Sequence, residues 1–170
     1  GRPASGNGVD LGVRAGRSAN DKAAASAGLD LDVMLPGASY ALVQPLSVDS
    51  GHTVIFPSLT SGGTLHVISE ERAMDPQALA DYFSRYPMDV LKIAPSHLAA
   101  LWPLSLQAER LLPRRWLILG GESLRPEWVA QLQAKAGCAI LNHYGPTEAT
   151  VGMLTHAITS LLVINILAVL

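Results

Sequence analysis

Short, continuously apolar runs alternate with amphipathic stretches from residue 40 onward, and this alternation constrains the fold more than any other feature. Five runs are predicted strands: residues 40–43, 64–68, 89–93, 116–119 and 139–142. Strands that are apolar along most of their length are typical of a parallel sheet buried on both faces, with helices connecting successive strands. The pattern therefore predicts an α/β fold with a mostly parallel sheet flanked by helices.

Helix signals lie between these strands. The clearest predicted helix has Asp75 as its N-cap and Pro76 at its first position, and it ends before Pro87. A second is predicted from Pro126 to Gly137, where a glycine can adopt the left-handed backbone that closes many helices. Two further helices are predicted over residues 52–59 and 95–102.

The two ends of the chain differ from its centre. Residues 1–30 contain six of the 15 glycines and no aromatic residue, so we expect a poorly ordered arm there. Residues 161–170 form an apolar tail too short to span a bilayer, which needs about 20 residues as a helix. The tail stays unassigned, and residues 31–160 are the expected folded unit.

Charge and cysteine content exclude several classes of function. Twelve Lys and Arg against 14 Asp and Glu give a net charge of −2, which favours neither nucleic acid nor a membrane surface as partner. Cys138 is the single cysteine, so neither an intrachain disulfide nor a thiolate zinc cage can form. A soluble protein of the cytoplasm is the expectation.

Two polar segments directly follow predicted buried strands, at the sheet edge where α/β proteins bind ligands. In residues 142–148, Tyr144 offers a flat ring for a base, Thr147 a hydroxyl for an anionic oxygen, and Glu148 an oxygen ligand for Mg²⁺. In the second segment, residues 119–122, Gly120 and Gly121 would let a flat ligand approach the backbone closely. From chemistry alone, plain turns remain an alternative for both segments.

The segment Asn-His-Tyr-Gly-Pro-Thr-Glu over residues 142–148 resembles the nucleotide-binding motif of the adenylate-forming superfamily, and most closely that of nonribosomal peptide synthetase adenylation domains. Residues 48–59, 91–98 and 117–124 resemble further segments of that family, in the same order and spacing over residues 36–156. The resemblance implies part of the N-terminal subdomain of an adenylation (AMP-binding) domain. Such a domain joins ATP and an amino acid into an aminoacyl-AMP.

The resemblance also implies roles at the nucleotide. Thr147 would touch the α-phosphate and Glu148 would hold Mg²⁺, and these two are the implied catalytic residues. The implied nucleotide-binding residues are Gly120, Gly121, Glu122, Asn142, Tyr144 and Gly145. The implied partners are condensation domains and a peptidyl carrier domain bearing phosphopantetheine.

Other parts of the family pattern are missing. Residues 1–3 resemble the end of its phosphate loop, but Ala4 stands where a lysine is expected. The mobile C-terminal subdomain, with its catalytic lysine, has no counterpart. We therefore expect an internal piece of a longer ligase, inactive on its own.

The resemblance identifies a pocket for the amino acid. Asp49 would receive the α-ammonium group, although this residue could equally be a helix N-cap. The other implied lining residues are Ser50, Thr53, Lys92, Ile118, Gly120, His143, Val151 and Gly152. Lys92 and His143 suit an acidic side chain, so aspartate or a β-substituted aspartate is the expected substrate. Taken singly, Lys92 could extend to solvent from a strand end and His143 could bond to backbone.

Three alternatives remain open. An acyl- or aryl-acid ligase of the same superfamily has no ammonium group to bind and would not need Asp49. A non-catalytic α/β fragment with residual nucleotide affinity would keep the fold without turnover. A dinucleotide-binding oxidoreductase is disfavoured, because no Gly-x-Gly-x-x-Gly segment lies between a strand and a helix.

Overall fold

A computed structural model describes residues 35–102, 108–144 and 154–157. These residues form a six-stranded sheet in the order β2-β1-β3-β4-β5-β6. The strands are β1 (Ser39–Leu42), β2 (Thr64–Val67), β3 (Val90–Ile93), β4 (Trp116–Gly120), β5 (Ala139–Tyr144) and β6 (Leu154–Ala157). The first five are mutually parallel, which confirms the predicted fold class, and β6 lies antiparallel to β5.

Helices follow the strands in the described part of the chain. They are α1 (His52–Thr60), α2 (Glu70–Ala73), α3 (Pro76–Arg85), α4 (Pro95–Leu101) and α5 (Pro126–Lys135), with 3₁₀ turns at Asp49–Gly51 and Ala108–Leu111. No helix among these residues is long and apolar enough to cross a membrane. The predictions for residues 1–30 and 161–170 lie outside the described residues.

The two clearest helices begin as predicted, but one ends differently. The Asp75 carboxylate accepts hydrogen bonds from the amides of Gln77 and Ala78 at 2.9 and 3.1 Å, which caps α3. Helix α5 ends at Lys135, and the next residue, Ala136, is already extended. The left-handed backbone predicted at Gly137 is wrong, because the helix already ends in extended backbone at Ala136 and Gly137 has no positive φ.

The sheet has two buried faces, covered by different helices. Helices α2 to α5 cover one face, where Leu91, Leu117 and Leu119 lie within the larger apolar cluster. Helix α1 lies against the other face, where its Val54 packs with residues such as Val90 and Ile118. Because side chains alternate along a strand, Lys92 of β3 and His143 of β5 both belong to the α1 face.

Candidate active site

The predicted site residues gather at the carboxyl ends of β3, β4 and β5. Lys92 lies one residue before the end of β3, Gly120 ends β4, and Asn142 and His143 lie near the end of β5. Tyr144 is the last residue of β5. Five of the predicted residues lie outside the described part of the chain: Gly145, Thr147, Glu148, Val151 and Gly152.

Lys92 is a buried cation. Its side chain is only 2% exposed, so the interpretation that it extends to solvent is wrong. Its ammonium nitrogen donates to Thr53 Oγ1 at 3.2 Å and lies 2.5 Å from His143 Nδ1. Within residues 35–102 and 108–144, no carboxylate forms an ion pair with it. A buried ammonium without an anionic partner is costly, and a nearby anion would stabilise it.

Burial changes the protonation of Lys92. Loss of hydration lowers the pKa of this ammonium from 10.5 to about 8, and the nearby negative charge of Asp49 opposes part of that effect. At neutral pH the charged form still predominates. The site therefore offers a positive charge inside an apolar sheet face.

Gly120 makes the contact between Lys92 and His143 possible. The two residues lie on β3 and β5, which are separated by β4, and Gly120 pairs directly with His143. A Cβ atom at Gly120 would lie 2.4 Å from the carbonyl oxygen of His143 and 3.3 Å from Lys92 Nζ. Glycine is required here because any larger residue would push these groups apart.

Residues 49–53 lie on the α1 side of Lys92. Asp49 begins the 3₁₀ turn, whose N-cap is Val48, while α1 is capped by Gly51, and neither cap involves a side-chain hydrogen bond. The N-cap interpretation of Asp49 is therefore wrong. Asp49 and Ser50 are partly buried, and Thr53 is buried against Lys92.

Ile118 lies beside Lys92 in the sheet. It is fully buried on the α1 face and pairs with Lys92 across the β3–β4 ladder. Asn142 has the opposite orientation, because it alternates with His143 along β5. The side chains of Lys92 and Asn142 thus lie on opposite faces of the sheet.

The loop after β4 is joined to α4. Gly121 has φ 87° with open space where a side chain would be. The Glu122 carboxylate accepts hydrogen bonds from Ser96 N at 3.0 Å and from Ser96 Oγ at 2.6 Å. A cleft of about 310 Å³ lies beside this contact, and Arg125 and Trp128 also line it.

Sequence reasoning missed Ser96. The residue is 26 positions away from Glu122, and no periodicity or local motif relates the two. Glu122 was assigned to the nucleotide, and its described contact is to α4 instead, so its role at a nucleotide stays a prediction. The same holds for the Mg²⁺ ligand Glu148, which lies outside the described residues.

Comparison with known proteins gives one consistent result. The model of the family described as AMP-binding enzyme matches residues 18–165. Bacitracin synthase 1 of Bacillus licheniformis is 35% identical over 125 residues, covering 72% of this chain and 2% of that protein.

Two solved structures share the fold. PA1221, described as a nonribosomal peptide synthetase protein with adenylation and peptidyl carrier (PCP) domains, aligns with a TM-score of 0.65 and 25% identity over 75% of this chain and 26% of that one. The adenylation domain AlmE of Vibrio cholerae, solved with glycyl-adenosine-5'-phosphate, gives a TM-score of 0.61 and 26% identity over 72% of this chain and 23% of that one.

The family match spans most of the chain, and the described sheet and its carboxyl edge agree with it. The chain represents only a small part of the relatives that it matches. On this evidence, the chain belongs to the AMP-binding enzyme family.

Proposed function

We propose that this chain is part of an amino-acid adenylation domain of a nonribosomal peptide synthetase, and that the domain activates aspartate or a β-substituted aspartate as its adenylate. The family match and the likeness to an adenylation domain solved with an aminoacyl adenylate support the reaction. The observation that supports the substrate is the buried Lys92 ammonium, which has no carboxylate partner among residues 35–102 and 108–144.

The proposed reaction needs no side-chain nucleophile. A carboxylate oxygen of the amino acid attacks the α-phosphorus of ATP, the bond from that phosphorus to the bridging oxygen breaks, and pyrophosphate leaves. The protein contributes by aligning the two reactants and offsetting the charge on the phosphate. In this proposal, Thr147 contacts the α-phosphate and Glu148 holds Mg²⁺. Tyr144 stacks on adenine beside Gly120 and Gly121, and Asn142 lies next to the adenine edge.

The amino acid is held at both of its charged ends. Asp49 pairs with the α-ammonium group, and Lys92 pairs with the side-chain carboxylate from the floor of the pocket. Both pairs are partly or fully removed from water, where opposite charges attract more strongly than on the surface. Ser50, Val151 and Gly152 complete the proposed lining, and the small residues leave room for a β-substituent.

The adenylate is then passed to a partner. We propose transfer to phosphopantetheine on a carrier domain, with condensation domains of the same assembly line downstream, in the cytoplasm. The presence of a carrier domain in PA1221 supports this partner.

The decisive experiment replaces Lys92 in a complete adenylation domain that contains residues 49–152 of this chain. Lys92→Met keeps much of the side-chain volume but removes the charge. Loss of one partner from a buried charge pair costs about 2–5 kcal/mol. The expected result is a fall in kcat/KM for aspartate of about 30-fold to several thousand-fold.

Asparagine is the matched control substrate, because it has the same shape without the charge. Its kcat/KM is expected to fall far less than that of aspartate. Equal losses for both substrates would refute the aspartate assignment. Asp49→Ala gives the complementary control, since it is expected to weaken all amino acids alike through their shared ammonium group.

A further inference from the structure

The Lys92–His143 contact defines the protonation of the histidine ring. A lysine ammonium has three N–H donors and no acceptor. While Lys92 is protonated, the nitrogen that faces it, His143 Nδ1, can therefore only accept a hydrogen bond, and it then has no proton of its own. A ring in this state is neutral, with its proton on Nε2. The pair then holds one positive charge, located on Lys92.

The contacts of Lys92 Nζ also show where two of its three ammonium hydrogens point. One hydrogen points to Thr53 Oγ1 and a second to His143 Nδ1. Thr53 belongs to α1 and His143 to β5, so Lys92 Nζ is held from two separate elements. Within the part of the chain that the structure describes, Lys92 Nζ makes these two hydrogen bonds, which leaves its third hydrogen for a ligand.

We propose that His143 is a positioning residue that acts through Lys92: it accepts one ammonium hydrogen, keeps the charge on Lys92, and leaves the third hydrogen for the side-chain carboxylate of the substrate. The identity of that carboxylate rests on the proposed function. The arrangement of Lys92 and His143 does not.

The physical basis is the competition between burial and hydrogen bonding. Burial favours the neutral amine, whereas an acceptor within hydrogen-bond distance favours the ammonium form. Among the described residues, Asp49 is the charged group whose field also supports the ammonium form. Without His143, the amine would lose its proton at lower pH and the pocket would lose its affinity for an anion.

The first test is made on the full 170-residue chain by NMR, with ¹⁵N-labelled histidine at pH 7. The expected signals for His143 are those of an unprotonated Nδ1 and a protonated Nε2. A proton on Nδ1, or on both nitrogens, would overturn the proposal because Lys92 could not then donate to the ring. This test needs no substitution, so it can confirm or refute the proposal even if a variant fails to fold.

The second test follows the loss of the Lys92 proton with pH, through its ¹⁵Nζ and ¹³Cε signals. His143→Met removes the acceptor and keeps an apolar side chain of similar reach, and it is expected to lower the titration midpoint by about one to two pH units. His143→Gln retains an acceptor oxygen and is expected to restore most of the difference.

Equal midpoints in wild type and His143→Met would contradict a role in holding the charge. Equal shifts in the Met and Gln variants would show that His143 acts by packing alone. Neither test uses ATP or an amino acid, so each can fail or succeed independently of the adenylation assay. A negative assay with the expected NMR result would refute only the proposed substrate.

Discussion

Lys92 occupies a strand position that would ordinarily favour an apolar side chain. Its neighbours Leu91 and Ile93 are fully buried, and Lys92 itself is 2% exposed. The site thus maintains a charge where a methionine would pack at lower cost. Such a residue is expected to lower the stability of the fold, and this cost can be measured.

The cost of Lys92 is expected to depend on pH. Its pKa is about 8 in the folded chain against 10.5 in the unfolded chain, so between these values the unfolded chain binds more protons and stability rises with pH. Below about pH 8 both states are protonated and the full cost is present. Lys92→Met is therefore expected to be more stable relative to wild type at pH 7 than at pH 10.5.

Urea unfolding of both chains at several pH values provides the measurement. The difference in unfolding free energy is expected to change by roughly 3 kcal/mol across the window, at 1.36 kcal/mol per pKa unit. Groups such as Tyr40 and Cys138, whose pKa values burial raises, are common to both chains and largely cancel. A difference that does not vary with pH would mean that the Lys92 pKa is not lowered.

Gly120 can be tested against a second glycine. Gly120→Ala places a Cβ atom 2.4 Å from a backbone oxygen, and overpacking of this kind is expected to cost about 1–3 kcal/mol. At Gly137 nothing lies within 4 Å of the added atom, so Gly137→Ala is expected to be neutral or slightly stabilising. Similar unfolding free energies for the two variants would argue against close packing at Gly120.

Among the elements, the loop after β4 and helix α4 are connected by a side-chain contact. Ser96 lies in the first turn of α4, and both its amide and its hydroxyl donate to Glu122. Both residues are exposed, so water weakens this charged contact. The contact nevertheless fixes the loop that the resemblance places at the nucleotide.

A double-mutant cycle with Ser96→Ala and Glu122→Ala measures this contact. We expect a coupling energy of about 0.5–1 kcal/mol in unfolding free energy, because the pair is hydrogen-bonded but exposed. Coupling close to zero would mean that the Glu122 carboxylate is not held by Ser96 and is free to contact a ligand.

The elements differ in how well the sequence predicts them. The five parallel strands are predictable because burial on both faces makes them continuously apolar, and α3 because of its cap and its apolar stripe. Helix α2 and strand β6 have only four residues each, which is too short to show a period. The sequence predicts Lys92 and His143 as pocket residues. Their mutual contact, however, depends on the absence of a side chain at Gly120, and only the sheet register shows that Gly120 lies between them.

At the scale of the whole molecule, this chain represents 2% of bacitracin synthase 1 and 23% of the AlmE chain that it matches. A reaction that encloses ATP and an amino acid draws on surfaces from the whole of such a domain. The 170 residues alone are therefore expected not to catalyse amino-acid-dependent exchange of pyrophosphate into ATP.

Measurement of exchange by the purified chain, beside the complete hybrid domain, tests this expectation. The hybrid serves as the positive control for the assay and for the substrate. Robust exchange by the chain alone would show that these residues contain all the essential catalytic groups.

The absence of a side chain at Gly120 has a consequence for how specificity can evolve. Lys92 and His143 meet only while position 120 has no side chain, so the effect of a substitution at any one of these positions depends on the other two. Such epistasis restricts the order in which substitutions at positions 92, 120 and 143 can occur. A larger residue at position 120 is tolerated only after the backbone near His143 has moved, whereas Lys92 can be replaced first. Under the proposed specificity, drift toward a neutral substrate is therefore expected to begin at Lys92, and recovery of an acidic substrate is expected to require glycine at position 120.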